Sequence, residues 1–272
     1  MFRIDTYLSS LVKSTVISLI TCFFVINVYS QNPNDSTILI ISSYDAENGK
    51  IAENIKSIMS EYHRLGGTCS FVIEEMNCKS FGEANAWKDR MTEILNKYDN
   101  KNSNIILAIL LGQEAWTSFI SQDDEETHNI PIICGMVSRN MVVLPDDFIS
   151  FFDWEPESLD LQDYFVKYKV ISGYLYDYKI EENIELILDL YPNTENIALI
   201  TDNSYGGVAL QAYVKQKMKK ISDLKLIPID ARKNPIEKIE EEISNLPENS
   251  VILLGTWRFD NDNNEIPNKI SA

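Results

Sequence analysis

Side chains with hydrogen-bonding and stacking groups follow most of the predicted strands of this sequence. They combine hydroxyls, amides, carboxylates, guanidinium groups and aromatic rings, a set that suits a small polar solute such as a sugar. We expect Asp45 and Asp202 to accept hydrogen bonds from ligand hydroxyls, because charged acceptors form the stronger bonds. We expect Tyr44 and Trp257 to stack on an apolar ligand face. The candidate ligand-binding residues are Ser43, Tyr44, Asp45, Gln113, Glu114, Met136, Arg139, Tyr174, Asp202, Ser204, Trp257 and Arg258.

Several of these residues also have an ordinary structural interpretation. Asp45 could cap a helix, and Arg139 and Arg258 could form surface ion pairs that contribute little. The pair Gly206-Gly207 indicates turn chemistry, because neither Lys nor Ser/Thr follows the glycines as a phosphate-binding loop requires. Trp257 could pack between a sheet and a helix. The shared position after strands is what favours a common cleft.

The sequence lacks the usual catalytic and metal-binding motifs. It contains no G-x-S-x-G, H-E-x-x-H or C-x-x-C pattern. Of its two histidines, His63 lies near a predicted helix end and His128 follows an acidic run, and neither has an obvious serine or cysteine partner. We therefore expect no catalytic residue, no metal site and no cofactor in this chain.

Apolar runs and amphipathic segments alternate along the chain and must position these side chains. Such alternation predicts βαβ units with parallel sheets and helices on both faces, and ligands of these sheets bind beyond the carboxyl ends of the strands. The fold class is therefore α/β, with two sequential Rossmann-like lobes. The predicted strands are 37–41, 71–75, 104–111, 130–134, 169–172, 196–201, 224–229 and 251–254, and the predicted helices include 81–98, 180–190, 205–221 and 235–246.

The alternation is interrupted once, and this divides the chain. We assign residues 37–176 to lobe 1, which includes an acidic, aromatic crossover at 140–168, and residues 177–272 to lobe 2. Because lobe 2 has only three predicted strands and three helices, we expect it to be incomplete. We expect the hinge near 173–177.

Residues 1–30 form a signal peptide or an N-terminal membrane anchor, and 31–36 a polar spacer. The uncharged run 14–30 follows Arg3 and Lys13, a pattern typical of a cleaved signal, although its length is also at the lower limit for a membrane span. Either form predicts export to the periplasm, an oxidising compartment.

Export raises the question of disulfides among Cys69, Cys78 and Cys134. We expect no bridge between Cys69 and Cys78, because an extended strand between them separates the two by roughly 25–30 Å. We expect Cys134, at the end of an apolar run, to be buried as a small apolar residue.

Charge excludes some partners. The 272 residues carry 24 Lys+Arg against 41 Asp+Glu, a formal net charge of −17, which argues against binding to nucleic acid or to anionic lipid. Contact with a membrane is expected only through an uncleaved N-terminal segment or a region beyond residue 272. A homodimer is possible.

Several segments resemble the periplasmic-binding-protein type I domains, and in particular the ABC-transporter substrate-binding-like sensor domains of bacterial two-component histidine kinases. They are residues 38–45 (ILIISSYD), 170–174 (VISGY), 190–207 (LYPNTENIALITDNSYGG) and 250–260 (SVILLGTWRFD). The resemblance covers residues 37–260.

The resemblance implies two lobes that close on a small ligand, followed by a membrane helix and a cytoplasmic kinase. This chain has neither the autophosphorylation histidine box nor the ATP-binding glycine boxes, so any kinase activity belongs to a longer parent. We predict an extracytoplasmic sensor domain. The alternative is a free-standing solute-binding protein of an ABC transporter, and an exported hydrolase is a third, less favoured class because no nucleophile–base set is found.

Overall fold

The computed structural model describes residues 36–45, 49–98, 104–122, 130–145, 150–221 and 223–262. The predicted leader 1–30, most of the spacer and His128 lie outside the described residues. The strands are β1 (Thr37–Ser42), β2 (Ser70–Glu75), β3 (Ile105–Leu111), β4 (Ile132–Ser138), β5 (Asn140–Met141), β6 (Leu159–Asp160), β7 (Val170–Tyr176), β8 (Asn196–Thr201), β9 (Lys225–Asp230) and β10 (Ser250–Leu254). The α-helices are α1 (Gly49–Arg64), α2 (Ala84–Tyr98), α3 (Gln113–Ile120), α4 (Ile180–Leu190), α5 (Tyr205–Met218) and α6 (Ile236–Ser244).

Two parallel sheets organise the chain. The first has the strand order β2-β1-β3-β4-β7, the second has the order β10-β8-β9, and β5 and β6 form a short antiparallel ribbon. The predicted α/β class with two sequential parallel sheets is therefore confirmed. Because all strands of a sheet run the same way, their carboxyl ends lie along one edge, where the candidate residues follow them.

Helix α5 is the element that joins the two sheets. Of its residues only Lys215, Gln216 and Lys217 are not buried. Tyr205 and Val208 pack in the core of the first sheet, whereas residues such as Val214 pack in the core of the second. A helix that is buried nearly all round contacts neighbours on all sides, so the two units share a continuous apolar contact.

The described parts of the crossover, 140–145 and 150–168, pack onto the rest of the molecule. Phe151 is buried, and Trp154 stacks on Phe81 with ring centroids 5.7 Å apart. The buried guanidinium of Arg232, which pairs with Asp230, donates to the carbonyl oxygens of Phe151 at 3.2 Å and Trp154 at 2.9 Å. This part of the crossover is therefore anchored to the second sheet.

Two predicted strand ends are wrong. Strand β4 continues beyond Cys134 to Ser138 through a bulge, with Met136 at a φ of +58°. Strand β7 extends to Tyr176, so most of the expected hinge lies inside a strand paired with β4. Gly173 reflects close packing there, because a Cβ atom at this position would come within 2.4 Å of Cys134 Sγ.

The cysteines agree with the sequence predictions. Cys69, Cys78 and Cys134 are all free, so Cys69 and Cys78 form no bridge, and Cys134 is buried. Burial raises the pKa of the Cys134 thiol to about 11. Among the described residues, no helix is both long and apolar enough to cross a membrane.

Candidate functional site

The carboxyl ends of β1 and β3 bring four of the predicted residues together. Ser43 Oγ accepts a hydrogen bond from the Ala115 amide at 2.8 Å, at the start of α3. The Tyr44 hydroxyl donates to Glu114 Oε1 at 2.9 Å. The side-chain amide of Gln113 donates to the Tyr176 hydroxyl at the end of β7. The first sheet therefore gathers its polar groups around the first turn of α3.

The second sheet supplies Arg258, which follows β10. Its Nη1 lies 3.5 Å from the Tyr44 hydroxyl, to which it donates. Tyr178 packs edge-on against Tyr176, with ring centroids 5.5 Å apart. We call this set the strand-end cluster: Tyr44, Gln113, Glu114, Tyr176, Tyr178 and Arg258.

Glu114 is the most deeply buried member of the cluster, at 1% exposure. Its Oε2 atom and the Oε1 atom of Gln113 are both buried without a hydrogen-bond partner among the described residues. Burial raises the pKa of the Glu114 carboxyl, although its own backbone amide, the charge of Arg258 and the hydroxyls of Tyr44 and Ser43 oppose the shift. Unsatisfied buried acceptors are costly, so these two oxygens mark where donor groups would be stabilised.

The phenols of the cluster stay protonated and serve as donors. Burial, followed by the charge of Glu114, raises the pKa of Tyr44. Burial also raises the pKa of Tyr176 and of Tyr178. The cluster therefore combines neutral hydroxyls and a guanidinium group with two acceptor oxygens that have no partner in the described part of the chain.

Asp202 has a different role from the one predicted. It is fully buried, and its carboxylate accepts hydrogen bonds from Ser204 Oγ at 2.6 Å, Thr256 Oγ1 at 2.5 Å and the Arg258 amide at 2.5 Å. Both oxygens are therefore occupied inside the protein, so the predicted acceptance from ligand hydroxyls would have to compete with these bonds. Asp202 holds the loop that carries Arg258.

Ser204 and the glycines after it are also structural. Ser204 is the N-cap of α5 and accepts from the Gly207 amide at 3.1 Å. A Cβ atom on Gly207 would lie 2.4 Å from the carbonyl oxygen of Asp202. The pair Gly206-Gly207 therefore permits close packing of α5 on the loop after β8, consistent with its interpretation as local backbone chemistry.

The other predicted residues lie outside the cluster. Arg139 pairs with Asp160 at 2.7 Å. Tyr174 lies within β7 and is 76% exposed, because the strand ends later than predicted. Trp257 is half-buried and packs against the apolar cluster of the second sheet.

Met136 and Asp45 complete the predicted set. Met136 lies within β4, and its sulfur accepts from Asn54 Nδ2 on α1 at 3.6 Å. Asp45 is exposed next to residues 46–48, which lie outside the described part. Met136 therefore contacts α1 and not a residue of the cluster.

The predicted set omitted two members of the cluster and one nearby thiol. Tyr176 lies beyond the expected end of β7 but was not kept in the predicted set, and Tyr178 was not selected because β7 was expected to end four residues earlier. Cys78 lies close enough to Glu114 for that charge, after burial, to raise the pKa of its thiol. No group of three or more potential His, Cys, Asp or Glu metal ligands occurs within the described residues.

Neither a protein-family model nor a curated protein matches this chain. Similar solved structures include an extracellular ligand-binding receptor from Verminephrobacter eiseniae, 12% identical over 80% of this chain and 57% of that one, with a TM-score of 0.45. The fructose-binding periplasmic domain of a hybrid two-component system is 14% identical over 80% of this chain and 63% of that one, with a TM-score of 0.46. An ABC transporter solute-binding protein from Bacillus halodurans with bound myo-inositol is 13% identical over 83% and 68%, with a TM-score of 0.48.

The chain spans less than two thirds of the length of the first two of these proteins. These similar structures are ligand-binding and solute-binding proteins, of the type that the sequence resemblance indicated.

Proposed function

We propose that this chain is an extracytoplasmic domain that binds a small polyhydroxylated solute, such as a sugar, at the strand-end cluster. The observation that carries the proposal is the buried Glu114 carboxylate, whose Oε2 has no partner in the described structure, beside the guanidinium group of Arg258. Charge-assisted hydrogen bonds to such groups are the strong ones. A ligand hydroxyl would donate to Glu114 and accept from Arg258.

The remaining groups of the cluster support the same ligand class. Gln113 Oε1 is a second unpartnered acceptor, and the Tyr44, Tyr176 and Tyr178 hydroxyls can reorient to donate or accept. Aromatic rings beside convergent polar groups suit a solute with one apolar face and several hydroxyls. The raised pKa of Cys78 keeps its thiol protonated, which makes it a poor nucleophile, and this favours binding over covalent chemistry.

Entry to the cluster requires movement of Arg258, which closes onto Tyr44. The Arg258 residue is exposed, so its side chain can swing outward at little cost. Opening the whole molecule at the expected hinge would instead separate Tyr205 and Val208 from the first core. We therefore propose a local gate at Arg258, with at most a small change in the radius of gyration on binding.

We further propose that the domain is the input region of a two-component sensor histidine kinase. Support comes from the resemblance of residues 38–45 and 190–207 to the sensor domains of that group. Sequencing the locus beyond residue 272 tests this. A membrane-spanning run followed by kinase boxes is expected, whereas a few further strands and a stop codon would contradict it and indicate a transporter partner.

Ligand binding is tested by thermal-shift screening against hexoses, inositols and linear polyols, followed by calorimetric titration of each hit. A ligand at 100 times its dissociation constant adds about 2.7 kcal/mol to the free energy of unfolding. We expect Glu114→Gln to weaken binding at least tenfold, because it replaces the unpartnered acceptor with a donor.

The matched control is Glu61→Gln, on the exposed face of α1, which should leave the affinity unchanged. Two results would contradict the proposal. One is a screen in which no polyol raises the melting temperature. The other is a hit that binds Glu114→Gln and Arg258→Ala as tightly as the original protein.

A further inference from the structure

A second cavity lies between the β5–β6 ribbon and helix α5. It has a volume of about 440 Å³, within the range typical of small-molecule sites. We call it the ribbon cavity and define it by Arg139, Asn140, Ser158, Asp160, Gln216 and Lys220. None of these residues belongs to the strand-end cluster, so the cavity is a separate candidate site.

Two polar atoms of the ribbon cavity are buried without a partner. Ser158 is 6% exposed, and its hydroxyl makes no hydrogen bond within the described residues. The Oδ1 atom of Asn140 is likewise buried and unpaired there. Leaving such groups unsatisfied costs about 1–3 kcal/mol each, so a bound molecule that supplies partners for both would be stabilised.

The lining also carries both signs of charge. Arg139 uses Nε and Nη2 to bind Asp160, at 2.9 and 2.7 Å, which leaves its Nη1 without a partner in the described part of the chain. Lys220 and Lys217 add two further positive charges, of which Lys217 is paired with Glu181, and Asp163 adds a negative one. Asp177, which also lines the cavity, is close enough to Arg139 for its charge to raise the pKa of that guanidinium.

We propose that the ribbon cavity is a second ligand site that binds a small zwitterion of the α-amino-acid class. The carboxylate of the ligand accepts from the Ser158 hydroxyl, Arg139 Nη1 and Lys220. Its ammonium group donates to Asn140 Oδ1 and to Asp177. A neutral polyol lacks both charges, and a simple anion leaves Asn140 Oδ1 unpaired, so neither matches the lining as well.

The test is calorimetric titration of the purified chain with each of the twenty standard L-amino acids, preceded by a thermal-shift screen. At least one should bind, and acetate and ethylammonium, each of which carries one of the two charges, should bind at least tenfold more weakly. Ser158→Ala should weaken binding several-fold while the melting temperature stays the same or rises, since it removes an unsatisfied hydroxyl.

Lys220→Ala should weaken binding at least tenfold, and its matched control, the exposed neighbour variant Lys219→Ala, should bind normally. Glu114→Gln should also bind the amino acid normally, which separates this site from the strand-end cluster. The proposal is overturned if no amino acid binds, if acetate binds as tightly as the amino acid, or if Glu114→Gln abolishes binding while Lys220→Ala does not.

Discussion

The Tyr44 hydroxyl donates to Glu114 Oε1 at 2.9 Å and thereby joins the end of β1 to the first turn of α3. We expect Tyr44→Phe to lower the free energy of unfolding by about 1–3 kcal/mol, because it removes the hydrogen bond to Oε1 of a buried carboxylate. Urea denaturation measures the change. Tyr191→Phe is the control, since Tyr191 is 60% exposed, and equal stabilities of the two variants would show that the bond contributes nothing.

The raised pKa of Glu114 predicts a particular pH dependence. Because the folded state binds the Glu114 proton more tightly than the unfolded state, this residue contributes less to stability as pH rises from its ordinary pKa through its raised value. Glu114→Gln removes that loss. The stability of Glu114→Gln relative to the original protein should therefore rise as pH increases above the ordinary pKa of a glutamate carboxyl, as measured by denaturation at several pH values.

Glu74 provides the comparison of opposite sign. Burial alone would raise the pKa of this carboxyl, but hydrogen bonds from Lys97 and Tyr98 hold it below the ordinary value. Glu74 therefore contributes stability above its ordinary pKa and loses it as pH falls through the lowered value. Parallel pH profiles for Glu114→Gln and Glu74→Gln would refute the assignment for Glu114.

Asp202 tests whether a predicted ligand contact is in fact a structural one. Its carboxylate accepts from Ser204, Thr256 and the backbone of Arg258, so Asp202→Ala leaves several donors unpaired. We expect a loss of about 3 kcal/mol in the free energy of unfolding, read from the denaturation midpoint. The exposed Asp189→Ala should change it by less than about 0.5 kcal/mol. An unshifted midpoint in Asp202→Ala would restore the ligand role.

Sequence patterns located most elements but not how they pack. Residues 180–190 and 196–201 were predicted with the bounds that α4 and β8 have, because strong apolar periodicity and flanking polar residues define them. Gly135-Met136 was expected to be a loop, and instead forms a bulge inside β4. The central role of α5 was not predicted, since a helix buried on all sides lacks a distinctive apolar stripe.

The sequence selected some members of the strand-end cluster but not how their side chains are bonded. The predicted strand ends selected Tyr44, Gln113, Glu114 and Arg258, which the structure brings together, because this grouping depends on where the backbone places a residue. They could not distinguish Asp202, whose oxygens are occupied, from Glu114, whose Oε2 has no hydrogen-bond partner in the described structure. That distinction depends on tertiary hydrogen bonds, which periodicity does not encode.

The buried ion pair between Arg232 and Asp230 anchors the crossover. Removing the cation in Arg232→Met leaves Asp230 buried and unpaired, which typically costs about 3–5 kcal/mol. The double variant Arg232→Met/Asp230→Leu should recover part of that loss, since no isolated charge remains. Lys233→Met, which removes partly exposed ion pairs, should cost about 1 kcal/mol or less. If Arg232→Met is no less stable than Lys233→Met in urea, the anchor is not needed.

Trp257 was predicted to stack on the ligand, with packing in the core as the alternative. The structure favours the alternative, because Trp257 is half-buried against a cluster that includes Ile200, Ile229 and Ile239. Full burial of a tryptophan would cost about 3–5 kcal/mol on truncation to alanine, so we expect Trp257→Ala to lose about 2 kcal/mol by chemical denaturation. Polyol affinity, measured by calorimetry well below the melting temperature, should stay unchanged.

The control for this variant is Phe152→Ala, which removes a ring that is 49% exposed and should shift the midpoint less. The opposite pair of results, an unshifted midpoint with polyol binding lost, would return Trp257 to the ligand site. It would also place the stacking face on the second sheet and require the strand-end cluster to extend beyond Arg258. Loss of stability with unchanged binding would instead confirm that Trp257 supports the sheet that positions Arg258.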